Sequence, residues 1–345
     1  MSHLKTLCLG IAASCAVATF VQAQAPPAAT PTITMKMLKP DVWEGVGDGG
    51  NSTIIIGKTG VIVVDAKQTN AGAKELLAQI AKITPKPVKT VIITHSDGDH
   101  LNGLVAYPTG IKIIAHENNK KEQQAALTAG GRGAPPADRL PNEVPTKRKE
   151  SMTIDGVKLE LYHFAPAHTS GDLVVYQPAT KIVSTGDVVM NRADDNPNVH
   201  FEKNGSVEGW LTNVKGMIAL NADIYVTGHG DLATKADLQR KFDATTQRRN
   251  KIAAMVKEGK TLDQIKEALP DAPAPALLLA GPHRLEAQAV LVVPLAEPAL
   301  LLVPEQEPVA VAPPARSPSW KRRIRRSRRQ KRSSRGDLGT DTEFE

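Results

Sequence analysis

Short runs of β-branched residues alternate along the chain with segments whose apolar positions recur at helical spacing. The runs at 53–56, 61–65 and 88–93 predict buried strands, because they are continuous, apolar and bounded by glycine, proline or polar residues. Residues 73–83 predict an amphipathic helix, since their leucines and isoleucines fall on one face. Further strands are predicted at 111–114, 152–154, 157–162, 173–176, 182–184 and 224–226, and further helices at 101–106, 119–127, 210–220, 238–256 and 262–269.

Strands come first and helices fall between them, and this order occurs twice before residue 270. Two sheets covered by helices satisfy such a pattern, so the fold class is α/β. Residues 45–51 are predicted to form a loop before the first strand, and residues 24–36 a flexible leader. The domain is therefore predicted to span residues 37–269.

The first 23 residues have the composition of a secretory signal peptide. Lys5 precedes an apolar run at 7–21, and residues 21–23 have the small-x-small form of a cleavage site. The run is too short to favour a transmembrane anchor. Both cysteines of the chain, Cys8 and Cys15, lie in this segment. We therefore expect a secreted or periplasmic mature chain with no transmembrane segment, no disulfide and no thiolate ligand.

Residues 270–345 predict a disordered tail that is first proline-rich and then arginine-rich. Eleven of the chain's 25 prolines lie at 270–318, and this density removes strand donors and blocks helix formation. Eleven basic residues lie at 316–335 in a chain of net charge +7, so the rest of the chain carries −4. A basic run can bind nucleic acid or an anionic membrane. The favoured interpretation is a solvated tail with no specific nucleic-acid partner.

The stretch most informative about function is residues 94–103, which follows the strand predicted at 88–93. Two histidines and two aspartates fall within six residues there, at His95, Asp97, Asp99 and His100. Ligands of open α/β sheets bind where strands end, and histidine and aspartate are common ligands of divalent metals. The stretch therefore predicts a metal site.

Three further strand ends carry a residue of the same kind. His168 lies in the loop at 166–172, Asp187 follows the strand predicted at 182–184, and His229 lies between two glycines after the last strand. Each is weak evidence alone, whereas four such strand ends together favour one site. Of the other histidines in the domain, His116 and His163 are predicted to be structural. His200, in the loop at 191–205, is a further candidate for contact with substrate.

Residues 95–100 resemble the His-x-His-x-Asp-His motif of the metallo-β-lactamase superfamily. His95, Asp99 and His100 match the motif, whereas Asp97 occupies the place of its second histidine. The resemblance implies a four-layer αββα sandwich with metals at one edge, and a role for Asp172 in orienting the loop of His168. It implies that one metal is held by His95, Asp97 and His168, a second by Asp99, His100 and His229, and that Asp187 lies between them.

The chemistry implied by this resemblance is hydrolysis of a small molecule. Two divalent ions about 3.5–4 Å apart can hold a hydroxide that attacks an amide, ester, lactone or thioester. Asp99 would orient this nucleophile and is the expected catalytic residue. Zinc is the expected metal, with manganese or iron as alternatives.

Two other functions remain open from the sequence. His95, His168 and Asp187 alone would suit a single iron, as in the persulfide dioxygenases of this superfamily. A non-catalytic binding protein with a degraded metal site is the other alternative. If Asp97 is a ligand, its charge should make the site more neutral than a histidine would and shift its preference from zinc towards manganese or iron.

Overall fold

The apolar runs form two mixed sheets in the computed structural model, which describes residues 31–130, 135–192 and 196–270. The first sheet has six strands in chain order: β1 (Thr34–Lys39), β2 (Val42–Val46), β3 (Ser52–Ile56), β4 (Val61–Val64), β5 (Val88–Ile92) and β6 (Lys112–Ile114). The second has five strands, each of which pairs with the next one along the chain: β7 (Lys149–Ile154), β8 (Val157–Tyr162), β9 (Val174–Gln177), β10 (Ile182–Gly186) and β11 (Ile224–Thr227).

Six α-helices accompany these strands in the described residues. Several begin at a side-chain cap: Thr69, Ser206 and Thr234 each accept a hydrogen bond from a backbone N–H of the first helical turn, which satisfies a donor that the helix leaves free. The helices are α1 (Asn70–Ile83), α2 (Gly98–Leu101), α3 (Glu117–Thr128), α4 (Val207–Ala219), α5 (Lys235–Lys257) and α6 (Leu262–Ala268). Short 3₁₀ turns lie at Asn102–Ala106, Ala137–Arg139 and Phe201–Lys203.

The core is layered because successive residues of a strand point to opposite faces of its sheet. Ile54 packs in a cluster with Leu76 of α1, whereas the next residue, Ile55, packs between the sheets with Leu161 of β8. Val183 of β10 packs on the outer face of the second sheet against α4 and α5. The chain therefore has the predicted αββα order of layers.

The parallel pairs determine where the site lies. β4, β5 and β6 run parallel to one another, and β10 runs parallel to β11. Parallel neighbours end at the same edge of their sheet, so residues that follow these strands come close together. β3 and β4 form the predicted antiparallel hairpin, and α1 begins three residues earlier than predicted, at the Thr69 cap.

Two strands at the start of the domain correct the sequence-based predictions. Residues 34–36, assigned to the flexible leader 24–36, lie in β1, and residues 45–46, assigned to a loop, end β2. Ile33 is buried in the core. β1 has no fully buried residue, and its sequence is mainly methionine and lysine rather than a β-branched run, so its signal was weak. Its backbone pairing with β2 forms the strand.

The predicted signal peptide (1–23), residues 24–30 of the leader and the tail beyond Pro270 lie outside the described residues. Among the helices of the described residues, none combines the length and apolar character needed to cross a bilayer.

Candidate metal centre

The polar residues that follow β5, β8, β10 and β11 meet at one edge of the two sheets. The structure brings together all seven side chains predicted as metal ligands, and in each of two groups the donor atoms lie within 4.8 Å of one another. The four-residue group is His95, Asp97, His168 and Asp187. The three-residue group is Asp99, His100 and His229.

The four-residue group is almost completely buried. Asp97 Oδ2 lies 3.0 Å from His168 Nε2 and 3.7 Å from His95 Nε2. Asp187 Oδ2 lies 3.9 Å from His168 Nε2. Two imidazole nitrogens and two carboxylate oxygens therefore face one small volume, and Asp97 belongs to it although it departs from the family motif.

The three-residue group borders the first one and is more open. Asp99 Oδ2 lies 2.9 Å from His229 Nε2 and 3.8 Å from His100 Nε2. Asp187 reaches this group as well, because its Oδ1 lies 3.0 Å from His100 Nε2 and its Oδ2 lies 3.4 Å from His229 Nε2. Asp187 thus lies between the two groups, at the position that a carboxylate bridging two ions would occupy.

Hydrogen bonds on the far side of three histidines determine which ring nitrogen faces the site. His168 Nδ1 donates to the carbonyl of Asn198 at 3.0 Å, and His100 Nδ1 donates to Asp65 Oδ2 at 2.8 Å. Thr94 Oγ1 donates its only proton to Asp65, so it accepts from His95 Nδ1 at 2.9 Å. With the proton on Nδ1, each neutral ring presents the lone pair of Nε2 to the site. Metal-ligating histidines are commonly oriented in this way.

Protons on histidines balance the carboxylates of the site. Burial raises the pKa of Asp187, but the charges of His100 and His95 and the close approach of the His100 and His229 rings hold it well below its usual range. Burial lowers the pKa of His168, but its hydrogen bond to Asp97 and the charge of Asp187 raise it to about 9. The pKa values of His100 and His229 are raised through Asp187 in the same way, despite burial. The carboxylates therefore require positive charge, which protons or a metal ion can supply.

Two buried polar atoms without a hydrogen-bond partner in the described part of the chain indicate that a cation fits the site. His95 Nε2 has no hydrogen-bond partner among the described residues, and burial together with the charges of His100 and His168 lowers the pKa of His95 to about 3. Asp187 Oδ1 also makes no hydrogen bond of acceptable geometry, although His100 Nε2 is 3.0 Å away. An unpartnered buried polar group costs about 1–3 kcal/mol. A divalent cation would bind both atoms, and nitrogen and oxygen donors without thiolate suit zinc, manganese or iron.

The loops that carry the ligands are themselves held by side chains and by a glycine. Asp172 accepts hydrogen bonds from the backbone of Ala167 and Thr169, on either side of His168, as expected for a carboxylate that orients this loop. A side chain at Gly228 would collide with Asp187 Oδ1, so the glycine before His229 makes room for that carboxylate.

Two residues of the site were not found from the sequence. Asp65 ends the strand predicted at 61–65 and is buried, and it contacts both Thr94 and His100. A carboxylate at the end of a predicted strand, as at Asp187, was a usable signal for Asp65. Lys203 forms an ion pair with Asp97 Oδ1. No local pattern indicated this pair, which depends on how the loop before α4 folds.

The three other histidines of the domain lie in two places. His200 lies at the site: its ring centroid is 4.6 Å from that of His168, and its Nε2 is 3.6 Å from Asp97 Oδ2. His116 and His163 stack on each other at 3.8 Å. His116 caps the N-terminus of α3, and His163 Nδ1 donates a hydrogen bond to the carbonyl of Asp172. Both rings therefore have structural partners.

Comparison with protein families gives one match that covers most of the described domain. The model of the metallo-β-lactamase superfamily matches residues 45–229, which are 185 of the 345 residues of the chain. The matched region begins in β2 and ends at His229, so it contains all seven members of the two groups.

Curated relatives with related sequences differ in the activities that their names describe. The chain is 27% identical over 216 residues to the alpha subunit of 2,4-dinitroanisole O-demethylase from Nocardioides sp. strain JS1661, a match that covers 62% of each chain. It is 26% identical over 227 residues to a type 2 metallo-β-lactamase of Bacillus sp. strain 170, covering 62% of this chain and 82% of the relative. The chain thus spans less than two thirds of the length of the first of these relatives.

Two solved structures with the same fold are named for different activities. A metallo-β-lactamase from Pontibacter korlensis superposes with a TM-score of 0.53 at 20% identity, covering 62% of this chain and 99% of the other. The stereoselective inverting sec-alkylsulfatase from Pseudomonas sp. superposes with a TM-score of 0.57 at 20% identity, covering 70% and 46%. At this identity the likeness supports the fold alone.

Proposed function

We propose that this chain, which belongs to the metallo-β-lactamase superfamily, is an exported hydrolase that uses two divalent metal ions to cleave an amide, ester, lactone or thioester in a small molecule. The observation that carries the proposal is the position of Asp187 between the four-residue and the three-residue group. One carboxylate within reach of both groups could hold two ions close together, and two-metal hydrolysis uses ions about 3.5–4 Å apart.

The residues present would hold zinc, or alternatively manganese or iron, in both groups. When bound, such ions supply a nucleophile derived from water near neutral pH and a positive charge that stabilises a developing oxyanion. The protein would contribute rigid ligands, since Asp65, Thr94 and the Asn198 carbonyl hold the imidazole rings. It would also limit access of water to the four-residue group, whose two histidines are buried.

Asp99 is the group best placed to act on the reacting water. Its side chain is 29% exposed, against 5% for Asp187, so it lies at the open side of the site. Burial raises the pKa of Asp99, but the hydrogen bond to His229 and the charge of His100 lower it below its usual value. Asp99 is therefore ionised at neutral pH and can accept a hydrogen bond from a water molecule and orient it.

The proposed location outside the cytoplasm rests on the sequence of residues 1–23. A basic residue, an apolar run and a small-x-small site in that order are the features of a secretory signal. The absence of cysteine after residue 23 agrees with a metal site made of histidine and aspartate alone.

Metal analysis of the purified full chain, combined with a substrate panel, tests the proposal. The panel should contain a β-lactam, an aryl ester, a lactone and a thioester. An alkyl sulfate and an aryl methyl ether should be added, because relatives are named for those substrates. We expect two divalent ions per chain and hydrolysis of at least one amide, ester, lactone or thioester.

Each contrary result identifies a different function. A single iron with consumption of oxygen in the presence of a persulfide would indicate a dioxygenase, and a chain that binds no metal would indicate a binding protein. Asp187→Ala should abolish turnover. The matched control is Asp223→Ala, because Asp223 directly precedes β11 and its side chain is 51% exposed.

A further inference from the structure

The two carboxylate oxygens of Asp97 have different partners. Oδ1 forms an ion pair with Lys203 Nζ, which also donates to Ser96 Oγ at 3.3 Å. Oδ2 faces the opposite way, 3.0 Å from His168 Nε2 and 3.7 Å from His95 Nε2. Because Oδ1 pairs with the ammonium, Oδ2 is the oxygen that faces the two histidines of the four-residue group.

The position of Lys203 is determined by the loop that also orients His168. The backbone N–H of His200 donates to the carbonyl of His168 at 2.8 Å, and the Asn198 carbonyl accepts from the His168 ring. The 3₁₀ turn Phe201–Lys203 follows, and Asn204 ends it in the left-handed conformation that asparagine tolerates. Lys203 is therefore built into the wall of the site, and its side chain is only 30% exposed.

The charge of Lys203 changes how position 97 should be interpreted. Asp97 and Asp187 give the four-residue group two negative charges, and Lys203 cancels one of them. A neutral histidine at position 97, without the lysine, would leave the same net charge from Asp187 alone. From the sequence, Asp97 was expected to make the site more neutral than a histidine would and so to shift its metal preference. That expectation counted the charge of Asp97 without the charge of Lys203.

We propose that Lys203, a positioning residue that acts through Asp97, makes this carboxylate the electrostatic equivalent of a neutral ligand, because it pairs with Oδ1 and cancels the charge of the carboxylate while Oδ2 faces His95 and His168. This inference rests on the metal site of the proposed function but not on any catalytic activity. Asp97 and Lys203 thus form one functional unit that replaces the second histidine of the motif.

Binding of Zn²⁺ alone tests the inference without any substrate. Metal-free full-length protein is titrated with Zn²⁺ in competition with a chromophoric chelator, and the two groups are fitted separately. Lys203→Met removes a positive charge beside a divalent cation, so the four-residue group should bind Zn²⁺ at least about tenfold more tightly. Lys203→Arg keeps the charge and should stay within about threefold of the parent. Lys235→Met removes the same charge from an exposed lysine that bonds Asn221, and should change nothing.

Restoring the histidine of the motif gives the opposite and more discriminating result. In Asp97→His, Lys203 is left without its counter-charge, so Zn²⁺ should bind the four-residue group at least about tenfold more weakly. Adding Lys203→Met to Asp97→His should recover at least that loss. The melting temperature and the Zn²⁺ affinity of the three-residue group report whether each variant folds.

The outcomes distinguish this inference from the proposed function. If Lys203 only supports its loop, Lys203→Met will weaken Zn²⁺ binding, and that result overturns the inference, as does an unchanged affinity. Tighter Zn²⁺ binding by Asp97→His with Lys203 intact also overturns it. If the parent chain binds no Zn²⁺, Mn²⁺ or Fe²⁺ in either group, both the inference and the proposed function are wrong.

Discussion

Replacing Asp65 with asparagine should weaken metal binding, although this residue lies outside the two groups of predicted ligands. The carboxylate is buried, accepts from His100 Nδ1 at 2.8 Å, and accepts from both the backbone and the hydroxyl of Thr94 at 2.8 Å. Through Thr94 it also holds His95. Asp65→Asn keeps the size of the side chain but replaces one acceptor oxygen with an NH₂ group, which cannot accept.

The magnitude follows from the number of bonds affected. Each hydrogen bond to a charged acceptor contributes about 1.5–3 kcal/mol, and Asp65→Asn disrupts at least one. Loss of such a partner behind a ligating histidine typically reduces metal affinity by about 10–100-fold. We therefore expect Zn²⁺ affinity of the three-residue group, which contains His100, to fall by this factor.

The pH dependence of that loss provides a second readout. Burial lowers the pKa of His100, but Asp187 and Asp65 raise it well above its usual value. A metal ion must displace the proton from His100, and removing Asp65 makes this proton easier to lose. The difference between Asp65→Asn and the parent should therefore be smaller at low pH and increase as the pH rises.

Chelator competition at several pH values and denaturant unfolding of the metal-free protein measure these effects. The matched control is Asp155→Asn, because Asp155 accepts three hydrogen bonds from Thr59 and Gly60 in an exposed loop. That variant should leave Zn²⁺ affinity unchanged. An Asp65→Asn variant that binds Zn²⁺ within about threefold of the parent at every pH would refute the reasoning.

Three further predictions concern the bridge, the protons and the export of the chain. Asp187→Ala should lower metal content in both groups, and full occupancy measured by mass spectrometry would exclude a shared carboxylate. Zn²⁺ binding should release protons, because the pKa values of His100 and His229 are raised and that of His168 is about 9; calorimetry in buffers of different ionisation enthalpy measures the release, and a count of zero contradicts it. Protein recovered from the periplasm should begin at Gln24, which its intact mass will show, whereas a chain that retains Met1 would contradict the signal peptide.

The fold was predictable wherever burial produces a pattern in the sequence. Strands β3, β4 and β5 lie between layers of apolar side chains, so their apolar runs indicated them clearly. β1 was missed because it is an edge strand without a fully buried residue and forms through backbone pairing with β2. Patterns of side chains cannot predict an element whose stability comes from main-chain hydrogen bonds to a partner.

The two groups of side chains were predictable for a different reason. Every member follows a strand, and the topology of parallel strands brings such positions to one edge. The groups that hydrogen-bond to the ligand histidines from outside the site were not predictable to the same degree. Asp65 and the Asn198 carbonyl act at positions 35 and 30 residues away from the histidines that they hold. Contacts at that distance depend on the fold rather than on local spacing.

Position 97 shows why a motif must be read together with its surroundings. Taken alone, an aspartate in place of a histidine adds one negative charge to a metal site and implies an altered metal preference. A charge in a largely buried site interacts with every charge around it, and Lys203 contacts this carboxylate directly. Because the lysine is 106 residues away in sequence, the comparison of one position with a motif cannot reveal it. Asp97 and Lys203 together carry the same net charge as the neutral histidine of the motif. A chain of this family that has aspartate at this position without a facing cation should therefore bind metal differently from this one.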